Sequence, residues 1–94
     1  MDTRPSLELL DSAHTFPGVY QFKAIGDVAA DFEARVLMAV RSEVGADAAI
    51  GQTVRSTKGG RHVSLTLDVD VQSAEQVHLI YAKIRELHGL LFLL

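Results

Sequence analysis

The 94-residue chain contains no cysteine. That absence removes disulfide scaffolds, thiol catalysis, cysteine-ligated zinc and iron–sulfur clusters in one step. Positive charge is also scarce: nine Lys and Arg stand against twelve Asp and Glu, a formal charge of −3. A dedicated nucleic-acid binder needs the opposite balance. No apolar run approaches the roughly 20 residues of a spanning helix; the most apolar stretch is Leu90-Leu91-Phe92-Leu93-Leu94. Met1-Asp2-Thr3-Arg4-Pro5 carries an acid and a proline, and no apolar run of signal-peptide length follows it. The expectation is a soluble cytoplasmic protein with no membrane or nucleic-acid partner. What the chain does have is apolar residues, 48% of the total against 22% charged, which suffices for one packed core at single-domain length.

Periodicity places the elements. Residues 5–14 are short and mixed, read as one or two helical turns with Leu7, Leu9 and Leu10 reaching for the core. Phe16-Pro17-Gly18 ends them, because proline disfavours the helical region for the residue before it. Residues 1–15 are therefore taken as an N-terminal segment and 16–94 as one domain. Over residues 19–25, Tyr20, Phe22 and Ala24 alternate with Gln21, Lys23 and Ile25, a strand signal. Gly26-Asp27 closes the strand, with Asp27 as helix N-cap. Over residues 28–44 the apolar period lengthens: Val28, Phe32, Val36 and Val40 recur every four residues, predicting a helix of about four turns that Gly45 stops.

Residues 48–57 form a weaker strand, rich in Ala and Gly, with Ile50 and Val54 toward the core. Lys58-Gly59-Gly60-Arg61 makes a hairpin turn. Val63, Leu65, Leu67, Val69 and Val71 then alternate strictly with Ser64, Thr66, Asp68 and Asp70, which means one buried and one wet face. Ser73 with Gln76 has the form of a capping box, and Val77, Ile80, Tyr81, Ile84 and Leu87 stripe a second helix ended by His88-Gly89. Residues 90–94 are the last strand. The order β-α-β-β-α-β is ferredoxin-like, α+β, with a four-stranded antiparallel sheet. Right-handed crossovers put both helices on one face of the sheet and leave the other open.

The open face carries Gln21, Lys23, Ile25, Thr53, Arg55, His62, Ser64, Thr66, Asp68 and Asp70. An RNA-recognition module on this fold stacks bases on aromatics of the two central strands; here those positions are small, polar or acidic. Asp68 and Asp70 sit about 7 Å apart on one strand, a pair that can do acid–base work or, equally, solubilise an exposed face. No two of His14, His62, His78 and His88 have the i,i+4 spacing of helical zinc ligands, so no metal and no cofactor is expected. No catalytic serine motif surrounds any Ser or Thr, and no enzymatic activity is expected. At the hairpin, Arg55, Ser56, Thr57, Lys58, Gly59, Arg61 and His62 combine cations, hydroxyls and backbone N–H groups. They are candidates for contact with an anion or an acidic partner, against the plain alternative of a basic turn.

Three stretches carry a resemblance: Phe16-Pro17 leading to Phe22-Lys23-Ala24-Ile25-Gly26, then Ser56-Thr57-Lys58-Gly59, then His62-Val63-Ser64-Leu65-Thr66. In order and spacing, from Phe16 to Leu94, they resemble the YbeD-like bacterial domain family of unknown function. The chain departs from that pattern in Thr57 for a serine, His62 for a tyrosine, and a longer turn. The resemblance implies a fold close to the ACT regulatory domains, which bind amino acids and often dimerise. It places a ligand near the turn from first strand to first helix, here Ile25, Gly26, Asp27 and Val28. Beside the resemblance, the apolar Leu90–Leu94 strand leads to the expectation of a regulatory or adaptor module acting through protein contacts, with an unnamed partner or a second copy. The alternative is a sensor of an amino acid or lipoate-related molecule. The apolar last strand, at a sheet edge, is expected to be covered by a partner subunit or by the N-terminal Leu7–Leu10 segment folded back.

Overall fold

Ten residues of strict alternation make the strand at the centre of the molecule. In a computed structural model that describes residues 4–57 and 59–94, this strand, β3 (His62–Val71), pairs antiparallel with β1 (Gly18–Asp27) and β2 (Ile50–Ser56). A short strand β4 (Leu90–Leu93) pairs antiparallel with β1, giving the sheet order β2-β3-β1-β4. Helices α2 (Phe32–Val44) and α3 (Ala74–Arg85) cover one face of the sheet, as the ferredoxin-like expectation requires. The core is built from the inward rows of β1 and β3 (Phe22, Leu65, Leu67, Val69) and from Phe32, Val36, Val40, Val77, Ile80 and Ile84 of the helices.

Helix α1 (Leu7–Ala13) packs against α3 and lends Leu10 to the core. Leu7 and Leu9, expected to reach inward as well, are exposed: Leu9 is turned about 100° from Leu10 on the helix, and Leu7 stands at its first position. Ser6 caps α1 by accepting from the Leu9 N–H at 3.1 Å. His78 donates from Nε2 to the Pro5 carbonyl at 2.5 Å, and Arg4 donates to the His78 carbonyl at 3.1 Å, so the N-terminal stretch is tied to α3. The Phe16–Pro17 peptide is cis. Ser73 caps α3 by accepting from Gln76 N–H at 3.1 Å, while the Gln76 amide oxygen accepts from Gln72 N–H at 2.8 Å, one residue outside the box that the sequence predicts.

Two further expectations are corrected. The helix predicted over residues 28–44 is broken: Val28–Ala30 form one 3-10 turn, Asp31 adopts the left-handed conformation (φ 54°), and the α-helix starts at Phe32. Asp27 caps the short turn, accepting from Ala29 N–H at 2.9 Å. Aspartate is one of the few residues that tolerate the left-handed region, and the break re-aims the helix so that Phe32 covers β1. Its ring fills the space beside Gly26, where a Cβ would stand 2.3 Å from the ring. Val28 is consequently exposed rather than part of the stripe. Val54 faces the helix side as expected, opposite Leu65, yet it is 42% exposed. It sits on an edge strand that α2 does not reach across.

Candidate functional site

The two stretches singled out by sequence meet at one end of the sheet. Asp27 is the ladder partner of His62, which joins the β1–α2 turn to the β2–β3 hairpin. Val28 N–H donates to the Arg61 carbonyl at 3.0 Å, and Asp27 N–H donates to the Gly89 carbonyl at 2.9 Å. Three chain segments are thus knitted together by backbone bonds around Asp27 and Val28. Of the turn residues, Ile25 is half-buried and points to the open face opposite Ser64, whereas Gly26 is buried under Phe32.

The hairpin stretch is divided by the strand that carries it. Arg55 pairs with Ser64 and Ser56 with Val63, so alternation sends Arg55 to the open face and Ser56 to the helix side. Thr57 closes the turn: its hydroxyl donates to the His62 carbonyl at 3.0 Å and accepts from His62 N–H at 3.2 Å. Gly59 and Gly60 take positive φ, 91° and 71°, which L side chains rarely adopt. Arg61 and His62 lie beside Asp27, Val28 and Gly60 in a cleft of about 320 Å³. Lys58 lies outside the described residues. The residues of this stretch therefore do not converge on one point.

A neighbouring cleft of about 230 Å³ opens between β2 and the start of α2, with Val28, Phe32, Val54 and Val63 as its apolar lining and Asp31 and Glu33 among its polar residues. Glu33 accepts from Gln52 Nε2 at 2.6 Å. Sequence reasoning missed Asp31, Glu33 and Val63 as site residues, since it drew one unbroken helix where the chain turns at Asp31. Asp68 accepts from Gln21 Nε2 at 3.1 Å, and the clefts at the hairpin end are lined by neither Asp68 nor Asp70. Among the described residues no group of three His, Asp or Glu is placed to hold a metal ion, and no helix is long and apolar enough to cross a membrane.

The profile of the family described as "Protein of unknown function (DUF493)" matches residues 11–94. The chain belongs to this family. Curated relatives, each called UPF0250 protein, include those of Shewanella loihica (33% identical over 82 residues, 87% of this chain and 86% of the relative) and Shewanella sediminis (32% over 79 residues, 84% and 88%). The relative in Shewanella piezotolerans is 30% identical over 79 residues. No solved structure matches the chain. The YbeD-like resemblance is borne out, and with it the bacterial family. The DUF493 description assigns no activity.

Proposed function

We propose that this DUF493 chain is a non-enzymatic, cytoplasmic regulatory or adaptor module that acts through protein contacts, with a second copy of itself as the first partner. The observation that carries the reading is strand β4. It lies at the sheet edge, holds neither charge nor proline in Leu90–Leu93, and exposes Leu91, Phe92 and, just beyond it, Leu94. Lys23 N–H donates to the Leu94 carbonyl at 3.0 Å and Leu94 N–H to the Lys23 carbonyl at 2.7 Å, so ladder alternation turns the Leu93 backbone groups outward. Natural edges are blunted by charge, proline or cover; this one is not. An uncharged apolar strand is its own complement under a two-fold axis, and closing it onto a second copy makes one continuous sheet. Sedimentation at micromolar concentration is expected to show a dimer that Phe92→Lys converts to monomer. A wild-type chain that stays monomeric removes the self-pairing.

A second reading, an ACT-like sensor, is supported by the cleft that sets Asp27 near Arg61 and His62. Opposite charges on its walls suit a zwitterion, with the ligand carboxylate toward Arg61 and the ammonium toward Asp27. Its volume of about 320 Å³ is at the small end for ligand pockets. A thermal-shift screen of amino acids and lipoyl compounds tests it, because a ligand of the folded state raises stability by mass action; no shift with any of them discards it.

A further inference from the structure

The open face holds a cluster that the chain brings together from three strands. Lys23, Thr53, Arg55, Ser64 and Thr66 line a depression of about 100 Å³. Ladder pairing sets Thr53, Thr66 and Lys23 in one row across β2, β3 and β1, and Arg55 with Ser64 and Ile25 in the next. The two cations thus stand on either side of β3, on strands about 10 Å apart, a span that long side chains close from both sides. Two hydroxyls, Ser64 and Thr66, lie between them on β3, and a third, Thr53, stands beside Arg55 on β2. Among the described residues, neither the Lys23 ammonium nor the Arg55 guanidinium has a hydrogen-bond or ion-pair partner. The nearest acid along β3, Asp68, is engaged by Gln21 instead. Two like charges facing one hollow repel each other, and an anion between them would offset that repulsion.

We propose that this depression binds a phosphate group, either free or carried by a small monoester. All five side chains can donate. A phosphate dianion offers three acceptor oxygens in a tetrahedron, which cations and hydroxyls arranged around a point can share; a carboxylate offers two in a plane. Beyond Lys23 and Ile25 the rows continue onto β4 through Leu94 and Phe92, both largely exposed. That apolar shelf is where the substituent of a monoester would lie. The five donors lie off β4, so phosphate binding does not require β4 self-pairing, and the site differs from the hairpin-tip anion contact predicted from sequence in taking only Arg55 from that stretch.

The test is a titration of the ¹⁵N-labelled full chain with inorganic phosphate, with sodium chloride adjusted to hold ionic strength constant. Saturable shifts are expected at residues 23, 53–55 and 64–66. Lys23→Met and Arg55→Met are each expected to weaken binding about threefold to tenfold, in the range of an exposed charge-assisted contact, while Arg61→Gln leaves it unchanged. Should one variant fail to fold, as its spectrum shows directly, the other carries the comparison. Phenyl phosphate binding tighter than inorganic phosphate marks a monoester as the source, and equal binding marks free phosphate. Shifts that never saturate, acetate binding as tightly as phosphate, or an Arg61→Gln loss equal to that of Arg55→Met would overturn the proposal.

Discussion

On β1, Tyr20, Phe22 and Ala24 are buried beneath the helices, while Gln21 and Lys23, each one residue away, stand in solvent. The same division runs along β3, where Leu65, Leu67 and Val69 are buried and Asp68 and Asp70 exposed. One sheet therefore has a face that holds the fold together and a face turned to solvent, where the phosphate site is proposed. The partition teaches where to look: a substitution on the covered face should be read in stability, and one on the open face in binding. The sharpest way to break this comparison is Phe22→Ala. Its ring is 1% exposed and packs on Tyr20 and Tyr81 with centroids 4.9 and 5.0 Å away. Truncation is expected to cost roughly 3–5 kcal/mol through lost transfer energy and the cavity left behind, a large part of the about 5–15 kcal/mol that holds a small domain together. Urea denaturation measures it, and a loss below 1 kcal/mol, as for an exposed site, would mean the covered face is not the core.

The covered face also holds a polar pair. Tyr20 and Tyr81 share a hydrogen bond, hydroxyl to hydroxyl, at 3.0 Å inside the core. Burial, reinforced by that bond, pushes the Tyr81 phenol well above its ordinary value of about 10. A raised folded-state pKa means that the unfolded chain ionises first, so this contribution to stability is intact below about pH 10 and is lost as pH rises above it. Tyr81→Phe is expected to reduce stability at neutral pH by about 1 kcal/mol, since one buried hydrogen bond is lost. It is also expected to flatten the alkaline decline. Denaturation midpoints at neutral pH and above pH 10 check both halves, and an unchanged alkaline slope would assign the decline to other groups.

How far the sequence shows this division depends on range. The covered rows were legible because alternation is a local signal: Val63 to Val71 and Tyr20 to Ala24 need no knowledge of their neighbours, and the stripe of Val77, Ile80, Tyr81 and Ile84 is equally self-contained. The break at Asp31 was not, because the period of Val28, Phe32, Val36 and Val40 survives a left-handed residue that only the fit of Phe32 against Gly26 demands. Nor was the exposure of Val54, which follows from how far α2 reaches over an edge strand. The meeting of the β1–α2 turn with the hairpin needed the register Asp27 to His62. Lys23 and Arg55 were each legible as open-face residues, but that both line one depression rests on two strand pairings at once. Side-chain direction is a property of one strand; a site is a property of several.

The smallest expected effect sharpens the comparison from the other side. Thr66 is in the middle of β3, between Thr53 and Lys23, with its side chain on the open face. Thr66→Val keeps the β-branched shape that suits a pleated strand and removes only the hydroxyl. If the open face contributes little to folding, stability in chloride buffer should change by no more than about 0.5 kcal/mol, the ordinary range for a surface substitution. Phosphate should then stabilise the variant less than it stabilises the wild-type chain, since ligand linkage acts only through the bound state. Melting curves with and without phosphate at one ionic strength separate the two quantities. A loss above about 1 kcal/mol without phosphate would place the hydroxyl among the groups that hold the sheet together, and the division between a folding face and a binding face would no longer hold at the centre of β3.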